Sequence, residues 1–460
     1  MNRMSDAEAI MWAVEKDPAL RSDFCNLTLL DRAPDDKRLA ATVERALDAI
    51  PRLGQRVVSA PARLVPPGFA PDPTLDLDYH VRRASLPAPG TMRSLLDACA
   101  TAAEAPLDRS RPLWEFTLFE GLAGGGAALL QKVHHTISDG VGGLRLSLAL
   151  LDLEPDPAAI DTEPSTGPAV PVRTGPTSPT DVVRAAMADA ARRNARAVRT
   201  VATGAGRVVT HPAELPSRVA EAARVAASLR RQTLLADGAR SDILAGRSLR
   251  RRFETFVLSL PRVRETARRL GGSVNDVYVT GLAAALGRYH ARFESDVTEL
   301  RMAMPVSTRG RGTGAANQFV PARVLVPIAP ADDPQSLFAS VHERLGTAKA
   351  EAVLPIADAL AGLVSSLPTS LLVLLTRSQT RTIDFAASNL RGSPVPLYLA
   401  GARIEANYPF GPRTGSALNV TMLGYCDDLH VGCNVDPAAV GDIPALLDDL
   451  DAAFEDLLGR

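Results

Sequence analysis

The sequence predicts an α/β protein in which layers of strands and helices are built twice. Three observations lead there. Apolar residues recur at strand and helix spacing in both the first and the last part of the chain. A stretch rich in Pro, Thr, Ser and Gly, residues 155–179, separates the two parts. And 460 residues exceed what one compact core usually organises. These changes set the expected divisions at 1–154 for a first domain, 155–250 for a crossover and 251–460 for a second domain.

The elements follow in order. Ser5-Asp6-Ala7-Glu8 has the pattern of a capping box and opens a helix through Met11, Trp12 and Val14. Leu39, Val43, Leu47 and Ile50 recur at helical spacing until Pro51 closes the helix. Ala127 to Val133 reads as a strand that runs into His134-His135-Thr136-Ile137-Ser138-Asp139-Gly140, with Gly142 and Gly143 relaxing the backbone behind. After the Pro-rich stretch, residues 181–231 are rich in Ala and Arg and broken at His211-Pro212 and Pro216, which predicts two partly exposed helices. Phe253 to Leu260 reads as a strand and Pro261 to Leu270 as a helix ended by Gly271-Gly272. Ser273-Val274-Asn275-Asp276 opens another helix, with Tyr278, Leu282, Leu286 and Tyr289 along one apolar face. Further strands are predicted at 301–306, 319–328, 402–405, 418–423 and 429–434.

Composition narrows the classes. Lys plus Arg number 51 against 52 for Asp plus Glu, a net charge of −1 that argues against a general nucleic-acid binder. Cys25, Cys99, Cys426 and Cys433 show no Cys-x-x-Cys spacing, so reduced thiols in a cytoplasmic protein are expected. No secretory signal is visible, and no run reaches the ~20 apolar residues that span a bilayer. The nearest, Leu363 to Leu375, is interrupted by Pro368 and several hydroxyl residues and reads as a buried helix or an amphipathic surface element.

The double histidine is the main candidate for acid–base chemistry. Neighbouring side chains on a strand point to opposite faces, so one histidine can face a cavity as a base while the other holds the segment in place. Adjacent strand histidines diverge and no third ligand follows at zinc spacing, which disfavours a metal site. A Ser-His-Asp triad lacks its Gly-x-Ser-x-Gly elbow. A neutral imidazole beside a bound hydroxyl can take its proton as that oxygen attacks a carbonyl, and can return it to a leaving thiolate if the carbonyl is a thioester. Asp139 could orient an imidazole, or turn away and pair with a basic residue to fix the loop; the second fits its place just past the strand end better.

The motifs together resemble a known family. His134 to Gly140 is similar to the HHxxxDG motif of CoA-dependent acyltransferases and of peptide-synthetase condensation domains. Pro106-Leu107-Asp108-Arg109-Ser110-Arg111-Pro112-Leu113-Trp114-Glu115 resembles the PLW motif of bacterial wax ester synthase/diacylglycerol acyltransferases, and Gly272-Ser273-Val274-Asn275-Asp276-Val277 their ND motif. Met304 to Arg309 and Ser388-Asn389 follow in the expected order, so the resemblance covers essentially the whole chain. It implies two chloramphenicol-acetyltransferase-like α/β domains joined by a crossover linker, with a channel between them. It also implies transfer of a fatty acyl group from acyl-CoA to diacylglycerol or a long-chain alcohol, without a cofactor and without a covalent acyl-enzyme. On that resemblance His135 is the general base, His134 and Asp139 are supports, Gly140 allows the turn, and Pro112, Leu113 and Trp114 shape the acyl channel. Asn275 and Asp276 have two readings, an oxyanion contact or plain helix capping.

Two departures concern channel lining and acceptor preference. Leu390-Arg391-Gly392-Ser393 follows Ser388-Asn389 where the family commonly continues Val-Pro-Gly-Pro, and Ala316 precedes Asn317 where a glycine is more typical. Two rival functions carry forward: a condensation-type enzyme drawing acyl groups from a carrier protein, and a lipid-binding homologue without turnover. The family also implies peripheral contact with the inner membrane face or a lipid-droplet surface, and no nucleic-acid partner.

Overall fold

Ser5 caps the first helix as its spacing predicts: its Oγ accepts the Glu8 N–H at 3.2 Å while Glu8 Oε2 accepts the Ser5 N–H at 2.7 Å. The computed structural model describes residues 2–59, 66–137, 146, 149–156, 241–307, 319–328, 334–352 and 369–459. The two helices predicted within 181–231, and Ser138, Asp139 and Gly140 of the histidine motif, lie outside the described residues.

The first part of the chain runs β1 (Asn2–Arg3), α1 (Asp6–Val14), β2 (Asp23–Leu30), α2 (Asp36–Ala49), β3 (Gln55–Val58), β4 (Gly68–Pro71), α3 (Leu77–His80), β5 (Val81–Ser85), α4 (Met92–Glu104), β6 (Trp114–Glu120) and β7 (Ala127–His134). After the crossover come β8 (Arg252–Ser259), α5 (Leu260–Arg269), α6 (Val274–Arg292), β9 (Glu299–Ser307), β10 (Phe319–Pro327), α7 (Pro334–Ala352) and α8 (Thr369–Thr380). The chain closes with β11 (Phe385–Leu390), β12 (Tyr398–Leu399), β13 (Ala402–Phe410), β14 (Leu418–Tyr425), β15 (Asp428–Val435) and α9 (Ile443–Leu458).

Two six-stranded mixed sheets organise these elements, in the orders β12-β13-β2-β7-β6-β5 and β10-β9-β11-β14-β15-β8. They do not follow the order of the chain: β12 and β13 come from the last third, where β13 pairs antiparallel onto β2 of the first sheet and β12 onto β13. The predicted strand at 402–405 is therefore the start of a longer one, through Phe410, that passes over the second sheet before the chain turns into β14. Gly432 on β15 permits this crossing. A Cβ there would stand 2.1 Å from the Pro409 carbonyl oxygen of β13.

Side-chain alternation sorts the first sheet into two cores. Cys25 and Leu27 of β2 and Ala128 and Leu130 of β7 face Leu95, Leu96 and Cys99 of α4. Leu30 of β2 with Ala127, Leu129 and Val133 of β7 face Leu39 and Val43 of α2. Lys132, on the α4 side, is buried yet donates to the Ala102 and Ala105 carbonyls at the end of that helix, where the helix dipole favours a cation.

The second core packs α6 between the sheet, α7 and α9. Its burial runs almost unbroken from Asp276 to His290, which corrects the expectation of one apolar face. Tight approach is the reason: a Cβ at Gly281 would sit 2.2 Å from the Phe454 ring of α9. Helix α8, the described part of the apolar run 363–375, is a surface element. Leu372 packs on Ala13, Val14 and Leu20, while Leu371, Leu374 and Leu375 are exposed.

Candidate active site

Strand β7 is central in the first sheet and ends at His134, opposite Asp23 of β2. The His134 N–H donates to the Leu113 carbonyl at 3.0 Å, and the His135 N–H to the Ser22 carbonyl at 3.2 Å. Pairing thus fixes the backbone of both histidines before their rings are considered.

The rings diverge, as adjacent strand positions require. His134 is buried. Its Nδ1 accepts the Thr136 N–H at 3.1 Å and lies 2.7 Å from Thr136 Oγ1, so the proton of the neutral ring sits on Nε2 and is donated to Glu15 Oε1 at 2.6 Å. The same Glu15 oxygen accepts the Ser22 N–H at 2.7 Å. His135 is half-buried against Phe24, ring centroids 5.0 Å apart, and its ring nitrogens meet no hydrogen-bond partner among the described residues. Burial, with the neighbouring His134 acting in the same direction, pushes its pKa down to about 4 against the opposing pull of Asp23 and Glu15. The imidazole is therefore neutral at physiological pH.

The rest of the predicted set divides. Pro112, Leu113 and Trp114 are enclosed, with Trp114 stacked on His80 at 4.5 Å and donating from Nε1 to the Leu53 carbonyl at 2.8 Å. Leu113 and Trp114 belong to the hydrophobic core of the first sheet, and the Leu113 carbonyl holds the end of β7. Asp276 completes a capping box with Ser273: its Oδ2 accepts from the Ser273 N–H at 2.8 Å and Oγ at 2.9 Å, and from His342 Nδ1 at 3.0 Å. Burial pushes the Asp276 carboxyl up, but these bonds and Lys349 outweigh it and hold the pKa below its ordinary value. The Asn275 side-chain nitrogen beside it is buried without a partner among the described residues.

Three further residues were not among the predicted set. Glu15 anchors His134, and Arg251 pairs with Asp23 at 2.9 Å in a buried ion pair beside the histidines. Ser22 holds the His135 backbone. No local spacing announces them, because each contact closes over more than a hundred residues of chain. Cys25, far from the motif in sequence, stands two places along β2 from Asp23. Burial pushes its thiol up to about 12, which removes it as a nucleophile.

A histidine pair thus closes a central strand of a sheet completed by strands from the other half of the chain, in a two-sheet α/β fold. Solved structures share it. The wax ester synthase/diacylglycerol acyltransferase from Marinobacter aquaeolei matches with a TM-score of 0.63 over 99% of this chain and 98% of that one, at 23% identity. A starter condensation domain of rhizomide synthetase, in complex with C8-CoA and Leu-SNAC, matches with a TM-score of 0.56 over 99% and 93%, at 13% identity. Residues 4–278 match the wax ester synthase/diacylglycerol acyltransferase catalytic domain and residues 315–458 the C-terminal domain of the same family. A Mycobacterium tuberculosis protein named as a diacylglycerol O-acyltransferase is 34% identical over 99% of this chain and 92% of that protein. The chain belongs to the wax ester synthase/diacylglycerol acyltransferase family and is an acyltransferase.

Proposed function

We propose that this enzyme moves a fatty acyl group from acyl-CoA onto the hydroxyl of diacylglycerol or a long-chain alcohol, with His135 as general base. The observation that carries the reading is the neutral imidazole of His135 at the end of β7, its ring nitrogens uncommitted among the described residues. As the acceptor oxygen attacks the thioester carbonyl, His135 takes the hydroxyl proton. The tetrahedral intermediate then expels the CoA thiolate, and the imidazolium returns the proton to sulfur. Ester and free CoA are the products, one base serves both transfers, and no acyl-enzyme or cofactor takes part.

The surrounding residues take supporting roles. His134 is the structural partner, tied through Glu15, and the family resemblance gives Asp139 and Gly140 supporting roles. Leu113 and Trp114 set the channel from behind by fixing β7. Asp276 holds the start of α6, and the unpartnered Asn275 amide is the candidate contact for the developing oxyanion. Exposed Leu371, Leu374 and Leu375 on α8 suit work in the cytoplasm at the inner membrane face or a lipid-droplet surface, where both substrates concentrate.

The test is thiol release from palmitoyl-CoA by the purified protein, with dipalmitoylglycerol and hexadecanol supplied separately. Release that requires an acceptor and is abolished in folded His135→Ala supports the reading, and the better acceptor names the product. Equal activity in His135→Ala and wild type removes His135 from the chemistry. No release from folded wild-type protein moves the weight to a carrier-bound donor or to lipid binding without turnover.

A further inference from the structure

A cleft is lined by Arg21, Arg247, Arg251, Arg377, Arg381 and Arg413, with Asp436 as the one carboxylate among the described residues that line it. Five separate segments bring them together. These are the turn after α1, the approach to β8, the end of α8, the turn between β13 and β14, and the residue after β15. Three of the guanidiniums are neutralised: Arg413 by Asp436 at 2.6 Å, Arg251 by Asp23 at 2.9 Å and Arg377 by Asp17 at 3.2 Å.

Among the described residues the other three make no hydrogen bond or ion pair to a carboxylate, although Asp436 and Asp384 act on Arg247 electrostatically. Arg21 donates to the Glu104 carbonyl at 2.9 Å. Arg247 is held by backbone carbonyls alone, including those of Gly415 at 2.6 Å and Gly246 at 2.7 Å. Arg381 is exposed, and its side chain makes no hydrogen bond or ion pair among the described residues. Six guanidiniums against one carboxylate among the described lining residues leave an excess of positive charge, and like charges repel one another, so an anion in the cleft would relieve that excess. Planar guanidiniums suit phosphate oxygens, which they can bind in pairs.

Two chain connections link the cleft walls to the histidine segment. Its wall at Pro18 to Arg21 continues directly into Ser22, whose carbonyl holds the His135 N–H at 3.2 Å. Arg251 reaches from the cleft to Asp23, which pairs across β2 and β7 with His134. Resting on the acyl-CoA reading above, we propose that this cleft binds the phosphate groups of the acyl donor, the diphosphate and 3′-phosphate of CoA, and leaves the thioester to run inward to His135. The anionic end of the donor is then held at the arginines while its apolar chain enters the protein.

The experiment compares palmitoyl-CoA with palmitoyl-N-acetylcysteamine, a thioester without phosphates, using dipalmitoylglycerol in neutral detergent. Variants are Arg381→Glu alone and Arg21→Gln with Arg381→Glu, each checked for an unchanged thermal midpoint. The single variant alters an exposed side chain without a partner, so its folding is not at risk. The expected result is that the ratio of kcat/KM for palmitoyl-CoA over the phosphate-free donor falls about tenfold or more, the scale of a lost charge-assisted contact. The palmitoyl thioester of dephospho-CoA should fall between the two donors. An unchanged ratio overturns the proposal, as does a loss confined to binding of phosphatidylglycerol vesicles, which would make the cleft a headgroup site. If wild type turns over neither donor, the acyl-CoA reading fails, and calorimetric titration with CoA still decides the cleft. Binding that weakens in the variants supports it; equal binding, or none by wild type, overturns it.

Discussion

Glu15 Oε1 stands 2.6 Å from His134 Nε2 and accepts the proton of a buried imidazole 119 residues away. This contact, and the Ser22 N–H bound to the same carboxylate, tie the end of α1 to the end of β7. Glu15→Ala should therefore leave a buried N–H without a partner and cost about 1–3 kcal/mol in urea unfolding. His134→Ala should likewise act mainly on stability. In a double-mutant cycle the two changes should be less than additive, by about 0.5–3 kcal/mol. Full additivity would mean that the pair does not act as a unit.

Arg251 and Asp23 form a different kind of contact, because both side chains are buried. Removing one partner strands the other charge, so Arg251→Ala should destabilise by about 3–5 kcal/mol. The exposed Arg403–Glu405 pair, 3.7 Å apart, is the comparison. Solvent screens it, and Arg403→Ala should change stability by less than about 1 kcal/mol. Chemical denaturation of both variants measures the contrast, and equal effects would contradict the assigned burial.

Gly432→Ala should destabilise by about 1–3 kcal/mol, the usual cost of overpacking. The added Cβ meets the Pro409 carbonyl oxygen and carbon, and a backbone neighbour cannot swing aside as a side chain would. Because β13 joins the first sheet while β15 belongs to the second, the strain falls where the two sheets meet. A thermal midpoint equal to wild type would show that β13 does not pass this close.

The pH dependence follows from His135, whose pKa of about 4 lies below the ordinary value of 6.5 that it regains on unfolding. Between those values the unfolded chain binds a proton that the native chain refuses, so stability should fall as pH drops from about 6.5 toward 4. Burial pushes His80, His290 and His430 in the same direction and should steepen the loss. Activity needs the neutral ring. In protein that remains folded, the acid limb of kcat/KM should centre near pH 4. A limb near 6.5 would place His135 in a more open or more acidic setting than the one described.

Much of the local structure was legible in the residues. The Ser5 and Ser273 capping boxes, strand β7, and the helix from Leu260 ending before Gly271-Gly272 all come from contacts a few residues apart, which spacing records directly. The divergence of His134 and His135 was equally readable, since it needs only the two-residue period of a strand. By contrast, the one-sided reading of α6 failed. Its small residues, Gly281 and Ala283 to Ala285, carry little hydrophobic contrast yet let α9 and the sheet close around it.

The sequence by itself determined the elements, the histidine motif and the kinship to acyltransferases, because each is written in residues close together or in a pattern kept in order along the chain. Only the tertiary structure decided that β12 and β13 complete the first sheet and that Glu15 and Arg251 stand behind the histidines. It alone gathered six arginines from four segments into one cleft. Those arrangements depend on contacts between distant segments, and a single chain carries no local periodicity that could report them.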